Sequence, residues 1–272
     1  MVMRSAFGVI GLGRMAWAIV EPLLKRGVIP PEQLVTVVGS ELSASRLNNE
    51  LPDGITVYPA SSAEARSVWQ APVQLLAIKP QQLDAVAAEV PAVNGQPLLI
   101  SVLAGVRLER LQRLFPSHRC VRSVPNTPAL VGSGLTALAW GDSVLPDQRQ
   151  QVTELFSPVS EVMELPEEKL DAFLALTSSG PAFLALVAEA MADGAVAAGL
   201  PRPLAQHLSH RTLAGTAALL HQRNLHPGEL KDMVSSPGGT TIAGIRCLEQ
   251  AGLRSALIEA VVAAAERSRE LA

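Results

Sequence analysis

Residues 7–16 read Phe7-Gly8-Val9-Ile10-Gly11-Leu12-Gly13-Arg14-Met15-Ala16, a short apolar run followed at once by a glycine loop. The apolar run has the composition of a buried strand. Residues 15–26 then repeat apolar side chains at helical spacing and are followed by Gly27, a residue that commonly ends helices. The chain therefore begins with a predicted strand–loop–helix unit.

The spacing of the small residues in this glycine loop suits the binding of a pyrophosphate. Gly11 permits a tight turn, Gly13 lets a pyrophosphate approach the backbone, and Ala16 is small enough for the helix to pack on the strand. The helix N-terminus offers N–H groups and a partial positive charge to phosphates. We interpret residues 11–16 as a dinucleotide-binding loop; a purely structural turn is the alternative.

The first half of the chain continues to alternate apolar runs with amphipathic helical segments. Unbroken apolar runs separated by helices predict a mostly parallel sheet that is covered on both faces. The further predicted strands are residues 34–38, 73–78, 98–103, 120–124, 135–140 and 159–165. We therefore predict an α/β, Rossmann-type doubly wound domain over residues 1–166.

The second half changes character near Pro166. It contains long helical segments broken by Gly and Pro, and we predict no strand in it. The predicted helices are residues 181–198, 203–221, 242–250 and 254–271. We expect an all-helical C-terminal domain over residues 167–272. Helical domains this apolar often complete their core against a second copy, so a homodimer or a larger homo-oligomer is expected.

Charge and hydropathy argue against two classes of partner. The net charge is −3, and the 22 Lys and Arg residues are spread out, whereas nucleic-acid binding needs a basic stripe. Residues 181–200 are apolar enough to suggest a membrane span, but they contain Glu189 and Asp193 and are interrupted by glycines. A helix buried in an oligomer explains them better. We expect no nucleic-acid or membrane partner.

The ends and the cysteines favour a cytoplasmic location. The apolar run that begins the chain is too short for a signal peptide and is soon followed by the glycine loop. The two cysteines, Cys120 and Cys247, make neither a disulfide framework nor a metal-ligand spacing. We expect both to be reduced, and we expect no metal site.

The end of the second predicted strand bears on the choice of cofactor. An acidic side chain at this position would bind the adenosine ribose and favour NAD. Here the tip is Gly39-Ser40, which leaves room for a 2′-phosphate, and Arg46 is a nearby cation in the sequence. Glu41 argues the other way. NADPH is therefore favoured and NADH stays possible.

The most unusual segment of the helical half is residues 230–241. It joins two predicted helices through Ser235-Ser236-Pro237-Gly238-Gly239-Thr240-Thr241. Backbone N–H groups and hydroxyls at a positive helix end form a site of the right size for a carboxylate. The alternative is an ordinary helix cap by Thr240 or Thr241, although a cap needs only one hydroxyl.

Several segments resemble the pyrroline-5-carboxylate reductase family, and together they run along nearly the whole chain. They are residues 11–16, Ala77-Ile78-Lys79-Pro80-Gln81, residues 101–106, Pro125-Asn126-Thr127-Pro128, residues 179–182, residues 199–202, Lys231-Asp232, residues 236–242 and the tail Arg267-Ser268-Arg269-Glu270-Leu271. The Ser-Pro-Gly-Gly-Thr-Thr segment is the most specific of these. The chain departs from the family pattern at Ser62, where an Asn is common, and at Ser178 and Phe183, where Gly and Tyr are usual.

The resemblance implies NAD(P)H-dependent reduction of the imine 1-pyrroline-5-carboxylate to L-proline. It assigns substrate binding and dimerisation to residues 167–272. Carried over by position, the cofactor contacts fall on Gly11, Leu12, Gly13, Arg14, Met15, Ala16, Ser40, Ser62, Ala77, Ile78, Lys79, Pro80, Ser101, Leu103 and Ala104. The substrate carboxylate falls on Ser236, Gly238, Gly239, Thr240 and Thr241. We take Thr241 as the catalytic candidate, with its hydroxyl near the ring nitrogen.

Three alternatives stay open at this point. A reductase of a related cyclic imine carboxylate, such as the six-membered homologue, fits equally because ring size cannot be read from the sequence. A catalytically silent NAD(P)-binding sensor would not need the anion site at residues 236–241. A β-hydroxyacid dehydrogenase resembles this architecture but uses a lysine early in its second domain, and this chain has none between Lys169 and Lys231.

Overall fold

The computed structural model describes residues 7–52 and 54–271, and its contacts divide the chain into two compact units. One unit runs to Ser178 and also includes residues from Ala264 onward; the other is Ser179–Ala263. The domain boundary predicted near Pro166 stays a prediction. Residues 1–6 belong to the N-terminal stretch in which no signal peptide is expected, and they lie outside the described residues.

The first unit contains an eight-stranded sheet in the order β3-β2-β1-β4-β5-β6-β7-β8. Its strands are β1 (Phe7–Ile10), β2 (Leu34–Val38), β3 (Thr56–Pro59), β4 (Val73–Leu76), β5 (Leu98–Ser101), β6 (Arg119–Pro125), β7 (Gly134–Trp140) and β8 (Ser160–Glu164). All neighbouring strands are parallel except β6 and β7. The predicted mostly parallel, Rossmann-type sheet is confirmed.

Helices cover both faces of this sheet. They are α1 (Arg14–Lys25), α2 (Glu41–Glu50), α3 (Leu83–Ala88), α4 (Leu108–Leu114), α5 (Pro146–Phe156) and α6 (Leu170–Thr177). Successive strand residues point to opposite faces, so Val9 packs in one core cluster with Ile19 of α1, whereas Ile10 packs in the other with Leu111 of α4. Two separate cores make the domain doubly wound.

Three strand predictions differ from the structure. Strand β3 was not predicted, because only Val57 of its four residues is buried and the strand ends in Pro59. The predicted strands over residues 73–78 and 98–103 end earlier, at Leu76 and Ser101. Leu103 is only 3% exposed, so the apolar run continues past the strand into a buried loop. A continuous apolar run does not mark where a strand ends.

The strand order places a crevice at the carboxyl ends of the strands. The connections lead from β1 outward to β2 and β3, and then back across β1 to β4. In open α/β sheets, ligands bind outside the carboxyl ends where the strand order reverses. That position lies between the ends of β1 and β4, next to the glycine loop.

The second unit is helical, as predicted. It contains α7 (Gly180–Ala197), α8 (Arg202–Arg223), α9 (Pro227–Met233), α10 (Thr240–Gln250) and most of α11 (Leu253–Glu270). Helix α7 packs against α8, where the Ser209 hydroxyl donates to the Ala188 carbonyl oxygen at 2.7 Å. Helix α10 begins two residues earlier than predicted. Between Glu167 and Leu271 the described chain contains only helices and turns.

Much of the apolar surface of these helices is exposed in the single chain. Exposed apolar side chains include Leu184, Leu186, Met191, Leu204, Leu208, Met233, Val234, Leu248, Ile258 and Val262. Residues 167–197 are long and apolar enough to cross a membrane by length and composition alone; an 18-residue window within them has a mean hydropathy of 1.6, and 28% of that window is buried. The same segment is divided at Ser178 and Ser179, between α6 and α7.

Candidate functional site

Gly11 joins the ends of three strands in the first unit. Its N–H donates to the Val37 carbonyl oxygen at 2.8 Å, and the Ala77 N–H donates to the Ile10 carbonyl oxygen at 2.8 Å. Gly11 has a φ of +91°, and a Cβ added to it would lie 2.7 Å from the Ala77 carbonyl oxygen. Only glycine fits here, because this backbone angle and this distance both exclude a side chain.

Gly13 is the residue that precedes α1, and it leaves the start of that helix open. Among the described residues no side chain caps the helix, and its first turn contains no acidic residue. A Cβ on Gly13 would meet nothing within 4 Å. The start of this twelve-residue helix therefore has no side-chain cap and has open space beside Gly13, an arrangement that suits a phosphate.

The rest of the loop divides between packing and exposure. Ala16 is fully buried in the core and allows α1 to lie close to the sheet. Leu12 packs partly on the same core, whereas Arg14 is exposed. Met15 is half-buried. The structure thus places residues 11–16 together at the crevice predicted from the strand order.

A cavity of about 790 Å³ opens beside this loop. Its wall includes Ile10, Gly11, Val37, Val38, Gly39, Ser61, Ser62, Arg66, Val68, Trp69, Ile78, Gln82, Val86, Glu89 and Val90. Cofactor pockets typically measure about 300 to 1,000 Å³ and are mostly apolar with a few polar groups. Its size and its place beside a phosphate-accepting helix end fit the adenosine half of a dinucleotide.

The polar groups around this cavity differ in part from those expected. Ser40 is the residue before α2, and its hydroxyl oxygen accepts from the Ser43 N–H at 3.2 Å. Arg46 forms an exposed ion pair with Glu50 at 3.4 Å, so its charge already has a partner. Arg66, which no motif in the sequence marks, is the cation that lines the cavity. It lies on the 3₁₀ helix Glu64–Gln70, which has no clear periodicity to reveal it.

Two further loops follow β4 and β5 at the same edge of the sheet. Ile78 lines the cavity, while the Lys79 N–H donates to the Gln82 amide oxygen at 3.2 Å and its side chain is exposed. Ser101 is fully buried and its hydroxyl oxygen accepts from the Leu103 N–H at 3.4 Å. The other predicted contacts on these loops are the half-buried Ala77, Pro80 and Ala104. Because the Leu103 side chain packs in the core, only its backbone is available to a ligand.

The segment predicted to bind an anion forms the turn between α9 and α10 in the second unit. Gly239 precedes α10, and no side chain of the described chain caps this helix. The alternative that Thr240 or Thr241 is an ordinary cap is therefore wrong; both lie in the first turn. The Gly239 N–H donates to the Ser236 carbonyl oxygen at 3.0 Å, which closes the turn. Ser236, Gly238 and Thr240 are exposed, and Thr241 is half-buried.

This turn has the chemistry of a carboxylate site. An eleven-residue helix without a side-chain cap presents free N–H groups and a partial positive charge, and two threonine hydroxyls lie in its first turn. No cluster of His, Cys, Asp and Glu suited to a metal ion occurs within residues 7–52 and 54–271. Each unit therefore contains one helix, α1 or α10, whose start has no side-chain cap.

Two family models match separate parts of the chain. Residues 6–105 match the model described as "NADP oxidoreductase coenzyme F420-dependent". Residues 167–271 match "Pyrroline-5-carboxylate reductase dimerisation". The first match covers the glycine loop and the cavity, and the second covers the helices and the turn at residues 236–241.

Curated relatives match over almost the full length. The pyrroline-5-carboxylate reductase of Synechocystis sp. is 47% identical over 269 residues, with 99% of each chain covered. That of Glycine max is 41% identical over 265 residues, covering 97% of this chain and 95% of the relative.

Solved structures of similar proteins have the same fold. The pyrroline carboxylate reductase of Plasmodium falciparum, with NADP bound, has a TM-score of 0.86 at 25% identity, and 97% of each chain is covered. The 1-pyrroline-5-carboxylate reductase of Streptococcus pyogenes has a TM-score of 0.85 at 27% identity, covering 97% of this chain and 98% of the other. Sequence and fold therefore agree along the whole length, and this chain belongs to the pyrroline-5-carboxylate reductase family.

Proposed function

We propose that this chain is an NAD(P)H-dependent oxidoreductase that reduces 1-pyrroline-5-carboxylate to L-proline, the last step of proline biosynthesis. One observation carries the proposal: the helix end at Gly239 is left without a side-chain cap while two threonines lie in its first turn. A binding protein for a dinucleotide alone has no use for a second anion site. The near full-length identity to reductases of this name supports the same substrate.

NADPH is the proposed cofactor, and NADH is possible. The tip of β2 has no acidic side chain at Gly39 or Ser40 to bind a ribose 2′-hydroxyl. Arg66 supplies a positive charge to the cavity wall, which suits a 2′-phosphate, although Glu89 lines the same cavity. The relative from Plasmodium falciparum was solved with NADP bound.

The first unit would hold the cofactor along the carboxyl edge of its sheet. The pyrophosphate would lie at the open start of α1, beyond Gly13, and the adenosine would occupy the cavity beside Ser62 and Arg66. The proposed remaining contacts are Gly11, Leu12, Arg14, Met15, Ala16, Ser40, Ala77, Ile78, Lys79, Pro80, Ser101, Leu103 and Ala104. When bound, the reduced nicotinamide supplies the hydride that the reaction requires.

The helical unit would orient the imine. Its carboxylate would bind the N–H groups and hydroxyls of residues 236–241, which fixes the ring relative to the helix end. Hydride adds to the carbon of the C=N bond while the nitrogen already carries its proton, so the product is a ring secondary amine. We assign Thr241 to a hydrogen bond with that nitrogen and name no general acid.

The proposed assembly is a homodimer or a larger homo-oligomer in the cytoplasm. The match of residues 167–271 to a dimerisation model supports the dimer, and so do the exposed apolar side chains of α7 and α8. Both cysteines are free, which suits a reducing compartment. We propose a small cyclic imine carboxylate as the partner, with no nucleic acid and no membrane.

The test is oxidation of the reduced nicotinamide, followed by absorbance, in the presence of 1-pyrroline-5-carboxylate and first NADPH, then NADH. We expect imine-dependent oxidation that falls about 10- to 100-fold in kcat/KM in Thr241→Ala, because an oriented hydrogen bond to the reacting ring is lost. Thr241→Ser keeps the hydroxyl and should retain most activity. Thr212→Ala removes an exposed helix hydroxyl elsewhere and should change nothing.

The other outcomes of this assay identify the alternatives. If the protein binds the cofactor but no cyclic imine causes oxidation of the reduced nicotinamide, the function would be that of an NAD(P)-binding sensor. Faster oxidation with the six-membered homologue would change the substrate but keep the site. No oxidation by folded, cofactor-bound protein would disprove the proposed reaction.

A further inference from the structure

Arg122 is a buried cation at the centre of an ion-pair network in the first unit. It lies on β6 and is 2% exposed. Its guanidinium donates to Glu167 Oε1 at 3.2 Å and to Asp171 Oδ1 at 3.1 Å. Breaking a buried ion pair leaves an uncompensated charge, so each partner's position matters.

Each carboxylate oxygen of this network accepts a second hydrogen bond. Glu167 Oε1 accepts a hydrogen bond of 2.7 Å from the N–H of Leu108, the first residue of α4. Asp171 Oδ1 accepts from the Ser268 hydroxyl at 2.8 Å. Ser268 lies in the last turns of α11 and is 3% exposed. One guanidinium therefore connects the start of α4 with the end of α11, within a single compact unit.

The end of α11 also touches the loop between β5 and α4 directly. Gly105 in this loop is buried and has a φ of +76°. A Cβ added to it would lie 2.7 Å from the Leu271 carbonyl carbon and 2.8 Å from the Leu271 Cβ. Gly105 and Leu271 are thus in close contact.

This loop, residues 102–107, lies at the ligand-binding edge of the sheet. It leaves the carboxyl end of β5, which pairs with β4, the strand beside the crevice. Leu271 contacts the middle of the loop and Glu167 binds the residue that follows it. Both contacts come from segments that are distant in the sequence, so the loop is constrained from outside as well as by its own hydrogen bonds.

We infer that the last turns of α11, through Ser268 and Leu271, form a positioning element that holds residues 102–107 in the shape that accepts the nicotinamide half of the cofactor. The inference rests on the proposed function. Ser268 and Leu271 act through the loop and do not touch the cofactor. The tail of the chain, whose sequence resembles the family, thereby supports cofactor binding.

The test is the dissociation constant for NADPH, measured by the fluorescence of the bound reduced nicotinamide, in the full-length protein. Ser268→Ala removes the donor to Asp171, and we expect the dissociation constant to rise about three- to tenfold, the range that one buried hydrogen bond supports. At saturating NADPH, kcat and the KM for the imine should stay within about twofold, because only cofactor binding depends on the loop. Ser268→Thr restores the hydroxyl and should restore binding.

Ser209→Ala is the matched control. Ser209 is also a buried helix serine, 6% exposed, whose hydroxyl donates at 2.7 Å, but it lies in the helical unit. Both alanine variants should lower the midpoint of thermal unfolding, and only Ser268→Ala should weaken NADPH binding. A lower midpoint with unchanged binding in Ser268→Ala would show a purely structural role and overturn the inference, and so would equal weakening in both variants.

Leu271→Gly is the second variant, because Leu271 is 37% exposed and its substitution leaves the buried network intact. It removes the Leu271 Cβ from beside Gly105 while the Leu271 carbonyl carbon stays, and it should raise the dissociation constant by less than Ser268→Ala does. Unchanged NADPH binding in Leu271→Gly, if Ser268→Ala does not fold, would equally overturn the inference. Failure of the wild-type protein to bind NADPH would instead contradict the proposed function.

Discussion

His118 is buried between two aromatic rings at the edge of the sheet core. Its ring centroid lies 5.9 Å from that of Trp69 and 5.8 Å from that of Phe115, both in edge-on geometry. Neither ring nitrogen has a hydrogen-bond partner within the described part of the chain. Burial lowers the pKa of His118 from 6.5 to about 4, since the imidazolium would lose its hydration.

The first prediction concerns stability and pH. The unfolded chain binds a proton at His118 below about pH 6.5, whereas the folded protein does so only below about pH 4. The contribution of the neutral His118 to the free energy of unfolding is therefore fully present above about pH 6.5. It decreases as the pH falls from about 6.5 to about 4, by about 3 kcal/mol at most. Urea unfolding between pH 7 and pH 5 measures the slope.

The variant for this test is His118→Phe, which cannot bind a proton. Its free energy of unfolding should be nearly independent of pH from 7 to 5, where carboxylates contribute little. His221→Gln changes an exposed histidine and should keep the wild-type slope. A wild-type slope in His118→Phe would assign the effect to another group.

At the scale of elements, the sequence predicted that the strands exist better than it predicted where each strand ends. Buried strands are rich in apolar residues, so seven of the eight were visible as runs. Strand β3 was missed because only Val57 of its four residues is buried, so the strand shows no apolar run. The glycine loop was predictable because its chemistry is local and has a fixed spacing.

The less local parts of the site were not predictable. Arg66 reaches the cavity from a 3₁₀ helix, and no motif marks it. The partners of Arg122 lie 45 and 49 residues away, and Ser268 lies 97 residues from Asp171. Such contacts depend on how the elements pack, which a single sequence does not specify.

The second prediction belongs to the loop between β1 and α1. Gly11→Ala forces a side chain into a left-handed backbone and against the Ala77 carbonyl oxygen, 2.7 Å away. We expect a loss of about 3 kcal/mol or more in the free energy of unfolding, from backbone strain and overpacking together. Binding of NADPH should be lost in the protein that still folds.

Gly95→Ala separates the two contributions. Gly95 has a φ of +72°, but a Cβ there would meet nothing within 4 Å. Its substitution should cost only the strain, about 1 kcal/mol, and should leave NADPH binding unchanged. Equal losses in the two variants would show that the contact with Ala77 is unimportant. Denaturant unfolding of both proteins measures the difference.

At the scale of the whole molecule, the exposed apolar side chains of the helical unit call for a partner surface. Monomeric proteins rarely expose contiguous apolar patches of this kind. The match of residues 167–271 to a dimerisation model agrees with a second copy as that partner. The sequence predicted this from the apolar composition of the helices, without indicating which residues would be exposed.

The third prediction is that dimer formation depends on α7. Leu186 on this helix is 66% exposed in the single chain, and Leu186→Asp would place a charge where the proposed dimer buries it. We expect this variant to sediment as a monomer at concentrations where the wild-type protein does not. Leu42→Asp, on α2 and 82% exposed, should leave the assembly unchanged. A dimeric Leu186→Asp variant would place the interface elsewhere.

The membership of residues 264–271 in the first unit has a consequence for synthesis on the ribosome. The strands of that unit emerge first, but Ser268 and Leu271 follow only after residues 179–263 have been made. Until then Asp171 lacks one donor and the loop at Gly105 lacks its contact. Domains usually fold as units from the N-terminus during translation. Here the nucleotide-binding unit reaches its final form only after the helical segment has been translated.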